Sequence, residues 1–314
     1  MEKIKEFFNK INLETVKYNE PLKNYTSFKI GGSAKIFAII NNEKILLKTI
    51  KYLIKNKKQY IILGNATNVL VSDNGFNGAV IKLGNALNRI KIKKNFIICD
   101  SGVSLIKLNG ACYKNSLTGL EFSFGIPGSV GGAVKMNAGA YGDCFSSVVH
   151  KVKVFDGKKV RWLKNSQLNF SYRHSIFSER KEMVILQVCL KLKNGVKELI
   201  YNKHKEIMKK RKQSHPYDMP SAGSVFKRNE KYIVSKVIDE LGLKGYEVGG
   251  AQVSTKHAGF IVNKGDATCK DVLYLVKYIQ EKVNEGYGFM PELEIELIGD
   301  FDDFTRGLSH THNI

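Results

Sequence analysis

The sequence predicts a mixed α+β or α/β protein built from two or three compact units. Three observations support this prediction. The chain of 314 residues is longer than a typical domain of about 100 to 200 residues. Its hydrophobic content of 43% is ample for sizeable cores. Segments with helical spacing of apolar residues also interleave with short strand-like apolar runs, which argues against a helical bundle.

The first predicted subdomain covers residues 1–85, where helix and strand patterns alternate quickly. Residues 1–20 are predicted to form an amphipathic helix. A second helix is predicted over 43–57, because apolar residues recur there every three or four positions. Short strands are predicted at 60–63, 69–71 and 79–83.

The second predicted subdomain covers residues 86–196 and contains longer strand patterns. A helix is predicted near 104–115, followed by a glycine-rich segment. Strands are predicted near 96–99, 151–155 and 184–191.

The third predicted unit covers residues 197–299 and opens with a basic helix over 197–211. Either Asp266 or Thr268 could cap the last predicted helix. Residues 300–314 form a polar tail that we expect to fray. The remaining elements of this unit are helices over 232–241 and 269–284 and strands over 259–262 and 293–298.

The strongly basic composition allows a nucleic-acid-binding interpretation but does not favour it. The formal net charge is +21, yet only seven of the 50 basic residues are arginine, which is the better reader of phosphates and base edges. The lysines are scattered along the whole chain, which is typical of a compositional bias rather than a binding face. We therefore expect no nucleic-acid partner, and steeply salt-dependent binding of nucleic acid would be needed to revive that alternative.

Cysteine usage and the absence of long apolar runs predict a cytoplasmic protein. The five cysteines form no CxxC pair, which favours reduced thiols. The N-terminal residues lack the apolar region of a signal peptide, and no stretch approaches the roughly 20 apolar residues of a membrane span. The histidines show no metal-ligand spacing, His310 and His312 in the tail included, so we expect no metal and no membrane partner.

The segment from Gly119 to Gly142, GLEFSFGIPGSVGGAVKMNAGAYG, is the most informative part of the chain. It contains seven glycines and only two formal charges in a lysine-rich protein. Glycine permits positive φ and lets backbone N–H groups approach a ligand without an intervening side chain. The composition fits a phosphate-rich or planar cofactor that lies against main chain, although a buried turn between two sheets has a similar composition.

A second loop of small residues, GNATN at 64–68, lies between two strand patterns. Its backbone amides and its Asn and Thr side chains could form an anion cradle. It is neither a Walker A loop nor a dinucleotide fingerprint that opens a helix, and an ordinary tight turn is the alternative. Together the two loops suggest one cofactor held from two places.

Three further patches contain candidate catalytic or binding side chains. Arg173, beside Tyr172 in SYRHSIF, could pair bidentately with a carboxylate or phosphate. Ser224 in PSAGSVFK lies where a loop becomes a strand, without the GxSxG context of a nucleophile. The run PELEIELIG at 291–299 alternates, and periodicity does not choose among its three glutamates. A surface arginine, a turn serine and solvated glutamates are the non-functional alternatives.

Taken in order, these motifs resemble the UDP-N-acetylenolpyruvoylglucosamine reductase (MurB) family of peptidoglycan precursor synthesis. The likeness runs from about Asn24 to Gly299, and the uninterrupted stretch from YRHSIF to the serine patch resembles the shorter class of that family. It implies an α+β protein with a two-part FAD-binding unit of the vanillyl-alcohol-oxidase (PCMH) type over 1–85 and 86–196, followed by an α+β substrate-binding domain over 197–299. The motifs are NYTSFKIGGSA, LGNATNVLVSD, the glycine-rich segment, SYRHSIF, PSAGSVFKR, GAQVSTKHAGFIVN and EIELIG.

The resemblance also implies the reaction and the catalytic residues. Such an enzyme holds FAD non-covalently, takes reducing equivalents from NADPH, and reduces the enolpyruvyl group of UDP-N-acetylglucosamine enolpyruvate to the lactyl ether of UDP-N-acetylmuramate. By this resemblance Arg173 would pair with the substrate carboxylate, Ser224 would donate a proton, and Glu294 would favour the enolate-like form. The choice of Glu294 comes from the family pattern. An FAD-dependent oxidase of the same superfamily, using oxygen, is the alternative within this fold.

The remaining site residues are likewise implied by the resemblance. The loop GNATN departs from the glycine and serine that the family usually shows at its centre. We expect a monomer whose partners are small molecules only. The implied substrate-binding residues are Tyr172, Lys227 and His257. The implied cofactor-binding residues are Gly64, Asn65, Ala66, Thr67, Asn68, Gly128, Ser129, Gly131, Asn137 and Gly139.

Overall fold

The computed structural model describes residues 2–11, 13, 15–84 and 87–301. The α-helices in these ranges are α1 (Glu2–Lys10), α2 (Glu43–Lys55), α3 (Leu105–Lys114), α4 (Val130–Lys135), α5 (Ile176–Glu179), α6 (Lys197–Ser214), α7 (Val234–Glu240) and α8 (Cys269–Tyr287). The strands are β1 (Thr15–Pro21), β2 (Ser33–Ile40), β3 (Tyr60–Leu63), β4 (Val69–Val71), β5 (Phe76–Leu83), β6 (Ile90–Lys93), β7 (Phe96–Asp100), β8 (Leu117–Thr118), β9 (Gly139–Ala140), β10 (Asp143–Cys144), β11 (Val149–Phe155), β12 (Val160–Lys164), β13 (Val184–Lys191), β14 (Lys193–Asn194), β15 (Ser221–Ser224), β16 (Glu247–Val248), β17 (Ala251–Val253), β18 (Phe260–Asn263) and β19 (Glu296–Ile298).

The chain divides into two compact units, and each unit is discontinuous in sequence. The predicted subdomains are contiguous segments, so this division by contacts does not decide where one subdomain ends. Helix α6 begins at Lys197, and the domain boundary placed at that residue stays a prediction. Unit 1 comprises the described residues among Met1–Lys17, Ile36–Asn65 and Gly78–Arg211, and unit 2 those among Tyr18–Lys35, Ala66–Asn77 and Lys212–Ile314.

A five-stranded antiparallel sheet, β12-β11-β13-β7-β6, is the largest sheet of unit 1. Its apolar face is covered by α3 and α4, whose valines and leucines are fully buried in one core with the strand residues. Val130 and Val134 of α4 belong to this core and are 0% exposed. These two valines therefore anchor the glycine-rich segment to the sheet.

A second sheet, with strand order β1-β2-β5-β3, delivers the other candidate loop. Strand β3 pairs in parallel with β5, and α2 precedes β3 in the chain. Helix α2 begins at Asn42, whose side-chain oxygen accepts from the amides of Lys44 and Ile45. It buries Leu46 and Leu53, and β3 then leads directly into the loop at Gly64.

Unit 2 combines the antiparallel sheet β15-β18-β17-β16 with α7, α8 and the parallel pair β4 and β19. Helix α8 begins with a capping box, in which Thr268 Oγ1 accepts from the Asp271 amide and the Asp271 carboxylate accepts from the Thr268 amide. It ends at Gly288, where φ is 71°. The apolar face of α8 packs against β17 and β18 in the hydrophobic core of unit 2.

Two predicted elements differ from the structure. The predicted helix over 1–20 is wrong in its second half, because α1 ends at Lys10 and Thr15–Pro21 forms strand β1. The β-branched and aromatic residues of Thr-Val-Lys-Tyr favour an extended strand. The predicted strand over 293–298 is a regular strand only from Glu296 onward. Earlier in that range, Leu293 forms an isolated bridge with Phe226. Strand β2 was not predicted.

The described part of the chain contains no helix that is both long and apolar enough to cross a bilayer. All five cysteines are free thiols. Burial raises the pKa of Cys112 to about 12, so this thiol is protonated at neutral pH. Of the predicted polar tail, residues 302–314, which include His310 and His312, lie outside the described residues.

Candidate active site

The first two residues of the GNATN loop, Gly64 and Asn65, contact the glycine-rich segment within unit 1. Asn65 Nδ2 donates a hydrogen bond to the carbonyl of Pro127, at 3.1 Å. Gly64 packs so closely against Ser129 that an added Cβ atom would overlap the Ser129 hydroxyl. Glycine at 64 is therefore required by this close approach.

The backbone of the GNATN loop is suited to an anion. Ala66 has a left-handed φ of 50°, and its carbonyl accepts from Ser27. Among the described residues, the amides of Asn65, Ala66 and Thr67 have no protein acceptor. Successive N–H groups around a left-handed residue form a concave anion-binding nest. These residues fit the diphosphate of a dinucleotide cofactor such as FAD.

The start of α4 is arranged differently, because the protein itself occupies its first amides. The amide of Val130 donates to the Val103 carbonyl and that of Gly131 to the Ser101 carbonyl, each at 2.8 Å. Ser129 caps the helix by accepting from Gly132. A Cβ at Gly131 would lie 2.9 Å from the Ser101 Cβ. The glycine at 131 thus serves close packing inside the unit, and a contact with cofactor there stays a prediction.

Asn137 ties the glycine-rich segment to the YRHS patch. It is 4% exposed and has a left-handed φ of 42°. Its Nδ2 donates to the Ser171 carbonyl and its Oδ1 accepts from the Ser146 amide, both at 2.8 Å. The side chain that the resemblance assigns to the cofactor therefore makes two hydrogen bonds within the protein.

Arg173 lies in a tight hairpin beside the glycine-rich segment. Ser171 and His174 exchange backbone hydrogen bonds, so Tyr172 and Arg173 are the two central residues of the turn. Arg173 has a left-handed φ of 54°, and its Nη2 donates to the Gly139 carbonyl at 3.2 Å. Its guanidinium also lies 5.0 Å from the centre of the half-exposed Tyr172 ring. These contacts hold the guanidinium at one end of the segment.

Ser224 lies at the end of β15 in unit 2. The register between β15 and β18 shifts between Ser221 and Ser224, which is a bulge of the kind that re-aims a side chain. The preceding Gly223 has a φ of 81°, which glycine adopts without strain. Within the described ranges the half-buried Ser224 hydroxyl has no hydrogen-bond partner, so it is available to a ligand.

Glu294 lies beside this strand and differs from its neighbour Glu292. The Glu294 amide donates to the Val225 carbonyl at 2.7 Å, and its carbonyl accepts from Asn68 Nδ2 at 3.0 Å. Glu294 is half-buried, whereas the Glu292 side chain is 69% exposed and pairs with Lys227 at 3.2 Å. Unit 2 thus brings Asn68, Ser224 and Glu294 close together, and it distinguishes two glutamates that alternation could not.

The two other predicted substrate contacts also lie in unit 2. The Lys227 amine is engaged by Glu292. His257 Nδ1 accepts the Gly259 amide at 3.0 Å, which leaves the proton of the neutral ring on Nε2. Burial lowers the pKa of His257, so the ring is neutral at pH 7. It lies among aromatic rings, with His215 at 5.5 Å and Phe260 at 4.9 Å.

Sequence reasoning missed two residues at the GNATN loop. Ser27 donates through its amide to the Ala66 carbonyl and through its hydroxyl to the Ser221 carbonyl. Lys82 donates from Nζ to the Gly64 carbonyl at 3.0 Å. In the sequence, Ser27 stands out only as part of its motif. Lys82 is the one charged residue in the apolar run from Ala79 to Leu83, and that position is a sequence signal.

Comparison with known families agrees with this geometry. A family model described as FAD binding domain matches residues 34–161, a range that includes both candidate loops. A second model, described as UDP-N-acetylenolpyruvoylglucosamine reductase, C-terminal domain, matches residues 215–298. The protein is therefore an FAD-dependent oxidoreductase with a PCMH-type FAD-binding domain, and the predicted α+β fold and cofactor are confirmed.

Individual relatives extend the likeness over most of the chain. The UDP-N-acetylenolpyruvoylglucosamine reductase of Pseudothermotoga lettingae is 49% identical over 283 residues, which cover 90% of this chain and 97% of the relative. The enzyme of Caldanaerobacter subterraneus is 45% identical over 283 residues, which cover 90% of this chain and 93% of the relative. The crystal structure of the Thermus caldophilus enzyme superposes with a TM-score of 0.77 at 34% identity. The superposition covers 90% of this chain and 98% of that chain. The chain belongs to the UDP-N-acetylenolpyruvoylglucosamine reductase (MurB) family.

Proposed function

We propose that the protein reduces the enolpyruvyl group of UDP-N-acetylglucosamine enolpyruvate to the lactyl ether of UDP-N-acetylmuramate, with NADPH as the reductant. Membership of the family supports this reaction. The structural observation that carries it is the Ser224 hydroxyl, which has no partner among the described residues and lies beside the strand that holds Glu294. That pair matches a reaction that must deliver a proton next to a developing negative charge.

FAD, when bound, supplies the hydride chemistry between NADPH and the substrate. The residues of the chain must then handle the charge that appears on the substrate. A hydride added to the enolpyruvyl methylene carbon leaves negative charge on the adjacent carbon and on its carboxylate. Fixed groups that stabilise this charge only as it develops lower the barrier most effectively.

Arg173 is assigned to the substrate carboxylate. A guanidinium pairs with a carboxylate through two parallel hydrogen bonds, and its planar fork fixes the orientation of the partner. The turn around Tyr172 and the Gly139 carbonyl hold this guanidinium in place. Such preorganisation reduces the cost of reorienting the side chain during the reaction.

Ser224 is assigned as the proton donor, and Glu294 as the group that favours the enolate-like form. A serine hydroxyl is a weak acid, but a carbanion-like centre is basic enough to take its proton. Glu294, protonated or sharing a hydrogen bond, would lie close to the same charge. The bulge at Ser224 and the hydrogen bond from Asn68 to Glu294 fix the backbone at both residues.

Tyr172, Lys227 and His257 are assigned to substrate binding. The neutral His257 can donate from Nε2 to a phosphate oxygen, and Lys227 would exchange Glu292 for an anionic group of the substrate. We also propose that the protein acts as a cytoplasmic monomer, which size-exclusion chromatography with light scattering would test for the oligomeric state.

One spectroscopic experiment tests the function. The purified protein should show flavin absorbance, lose it when NADPH is added without oxygen, and regain it on addition of the enolpyruvyl UDP-sugar. The product should be the lactyl ether. A colourless protein, or a reduced flavin that the UDP-sugar does not reoxidise, would contradict the proposal. Rapid oxygen consumption with an alcohol or lactone would instead identify an oxidase.

A further inference from the structure

Lys82 occupies an unusual position beside the GNATN loop. It lies on β5 opposite Leu63 of the parallel neighbour β3, so that its side chain reaches the point where β3 ends. There its Nζ donates to the Gly64 carbonyl at 3.0 Å. An ammonium group has three N–H donors. One hydrogen bond to a neutral carbonyl leaves most of its charge uncompensated.

Among the described residues, the charge on Lys82 has no counterion. The side chain is half-buried, and desolvation lowers its pKa. No carboxylate of the described residues lies within ion-pair distance of its Nζ. Lys153 in the same unit provides the contrast, because its partly buried amine pairs with Glu43 at 2.6 Å. Keeping a half-buried ammonium without a counterion costs free energy, and a bound anion would offset that cost.

Further donors lie around the carbonyl that Lys82 holds. The carbonyl that it holds belongs to Gly64, the first residue of the loop. The next amide, that of Asn65, has no acceptor among the described residues. The hydroxyl of Ser129 occupies the space that a Cβ atom at Gly64 would need. The Lys82 ammonium and the open amide of Asn65 thus lie on opposite sides of the same trans peptide, and both add positive potential to the loop.

We propose that Lys82 is a further cofactor-binding residue, whose ammonium group neutralises the diphosphate of FAD while it holds the Gly64 carbonyl. This inference rests on the proposed function, in that it takes FAD as the bound anion. The diphosphate carries two negative charges, and the amide nest contributes only partial positive charge. Lys82 provides the full charge that the loop lacks.

A purely structural role for Lys82 gives different expectations. In that case the ammonium only satisfies the Gly64 carbonyl, and any N–H donor would replace it. The two roles are separated by Lys82→Met, which removes charge and donor, and Lys82→Gln, which removes the charge but keeps a donor. Lys82→Arg keeps both.

The experiment measures the affinity of the full chain, freed of flavin, for FAD and for riboflavin, which lacks phosphate. We expect both Lys82→Met and Lys82→Gln to weaken FAD binding by roughly 10- to 100-fold, as for loss of a charge-assisted hydrogen bond. Riboflavin affinity should stay within about twofold, and Lys82→Arg should recover most of the loss. The matched control is Lys35→Met, because the exposed Lys35 amine also holds one neutral oxygen, that of Asn77, and its loss should leave FAD affinity unchanged.

Three results would overturn the inference. These are unchanged FAD affinity in Lys82→Met, full FAD affinity in Lys82→Gln, and an equal loss of FAD and riboflavin affinity in both. If Lys82→Met does not fold, Lys82→Gln decides the question alone. Failure of the unmodified protein to bind FAD would reject the proposed function instead, so the two failures are distinguishable.

Discussion

At the scale of single residues, Asp100 carries a buried negative charge that is well paired within unit 1. Its carboxylate is 2% exposed and accepts from Arg89 Nε at 2.8 Å, from the Arg89 amide at 3.0 Å and from Gln187 Nε2 at 2.8 Å. Burial alone would raise the pKa of Asp100. The hydrogen bonds from Arg89 and Gln187 outweigh it and hold the pKa below its usual value of 3.8.

This arrangement predicts a pH-dependent contribution to stability. When folding lowers the pKa of a carboxylate, the carboxylate stabilises the fold at pH values above its pKa in the unfolded chain. This contribution is lost as the pH falls through its pKa in the folded protein. Asp100→Asn should lower the free energy of unfolding at pH 7 by about 1 to 3 kcal/mol. This range allows for solvent screening of the exposed Arg89 guanidinium. The difference from the unmodified protein should shrink below about pH 4. Urea unfolding at several pH values measures both.

The control is Glu206→Gln on α6, whose exposed carboxylate pairs with Lys203 and Lys210. Its replacement should leave the free energy of unfolding nearly unchanged. If Asp100→Asn were equally mild at pH 7, the contribution assigned to the buried pair would be wrong.

Ser224 gives a prediction that separates the two half-reactions. Ser224→Ala should slow formation of the lactyl product by about 10²- to 10⁴-fold, because the variant lacks the proposed proton donor. Reduction of the flavin by NADPH should proceed as before. Stopped-flow absorbance measures the first step, and product analysis measures the second.

Ser221→Ala on the same strand is the matched control, because Ser221 contributes its carbonyl rather than its hydroxyl to the hydrogen bond with Ser27. It should retain both half-reactions. A Ser224→Ala protein that NADPH cannot reduce would show that the role of this hydroxyl lies elsewhere.

At the scale of elements, the N-terminus of α8 is capped twice. Besides the capping box of Thr268 and Asp271, the Asp73 carboxylate accepts from the amides of Cys269 and Lys270 at 2.8 and 3.0 Å. A carboxylate there satisfies two otherwise unpaired donors and complements the helix dipole. Asp73→Ala should therefore lower the free energy of unfolding by about 1 to 2 kcal/mol, as measured by urea denaturation.

Asp266 provides the control for this cap, since the sequence offered it as an alternative to Thr268. Thr268 is the residue that caps the helix, and Asp266 makes no hydrogen bond among the described residues. Asp266→Ala should leave the midpoint of unfolding in place. A shift as large as that of Asp73→Ala would contradict the assignment of the cap.

Elements with a strong local pattern could be predicted from the sequence. The apolar run at 184–191 and the periodic helix α8 are found where they were predicted. Strand β1 was not, because it lies within a stretch whose first half is a true amphipathic helix. The two-residue strands β8 and β14 depend on each other as partners, and no local pattern encodes such a pair.

Much less of the site could be predicted. Motifs offered Arg173, Ser224 and Glu294 as candidates. The left-handed turn at Arg173 and the hydrogen bond between Asn68 and Glu294 depend on distant segments. Composition also does not show that Gly131 packs against Ser101 and that its amide already donates to the Ser101 carbonyl. Sequence gives the residue types, and only the fold shows which of their donors are already used.

At the scale of the whole molecule, the net charge of +21 has a kinetic consequence. NADPH and the UDP-sugar are polyanions, so a basic protein attracts them over a distance set by ionic screening. The Debye length falls from about 30 Å at 0.01 M salt to about 10 Å at 0.1 M. The same attraction acts on any polyanion, and thus gives speed of encounter rather than specificity.

The second-order rate constant for reduction of the flavin by NADPH should therefore fall by roughly 3- to 10-fold between about 0.01 and 0.1 M salt. Stopped-flow absorbance at low NADPH measures it. The limiting rate at saturating NADPH is the internal control, because it follows binding and should not depend on salt. A second-order constant that is equal at both salt concentrations would mean that the lysines are too dispersed to create a field at the entry of the ligand. An equal fall in both quantities would mean that salt acts on the chemical step, and steering would then be excluded as the cause.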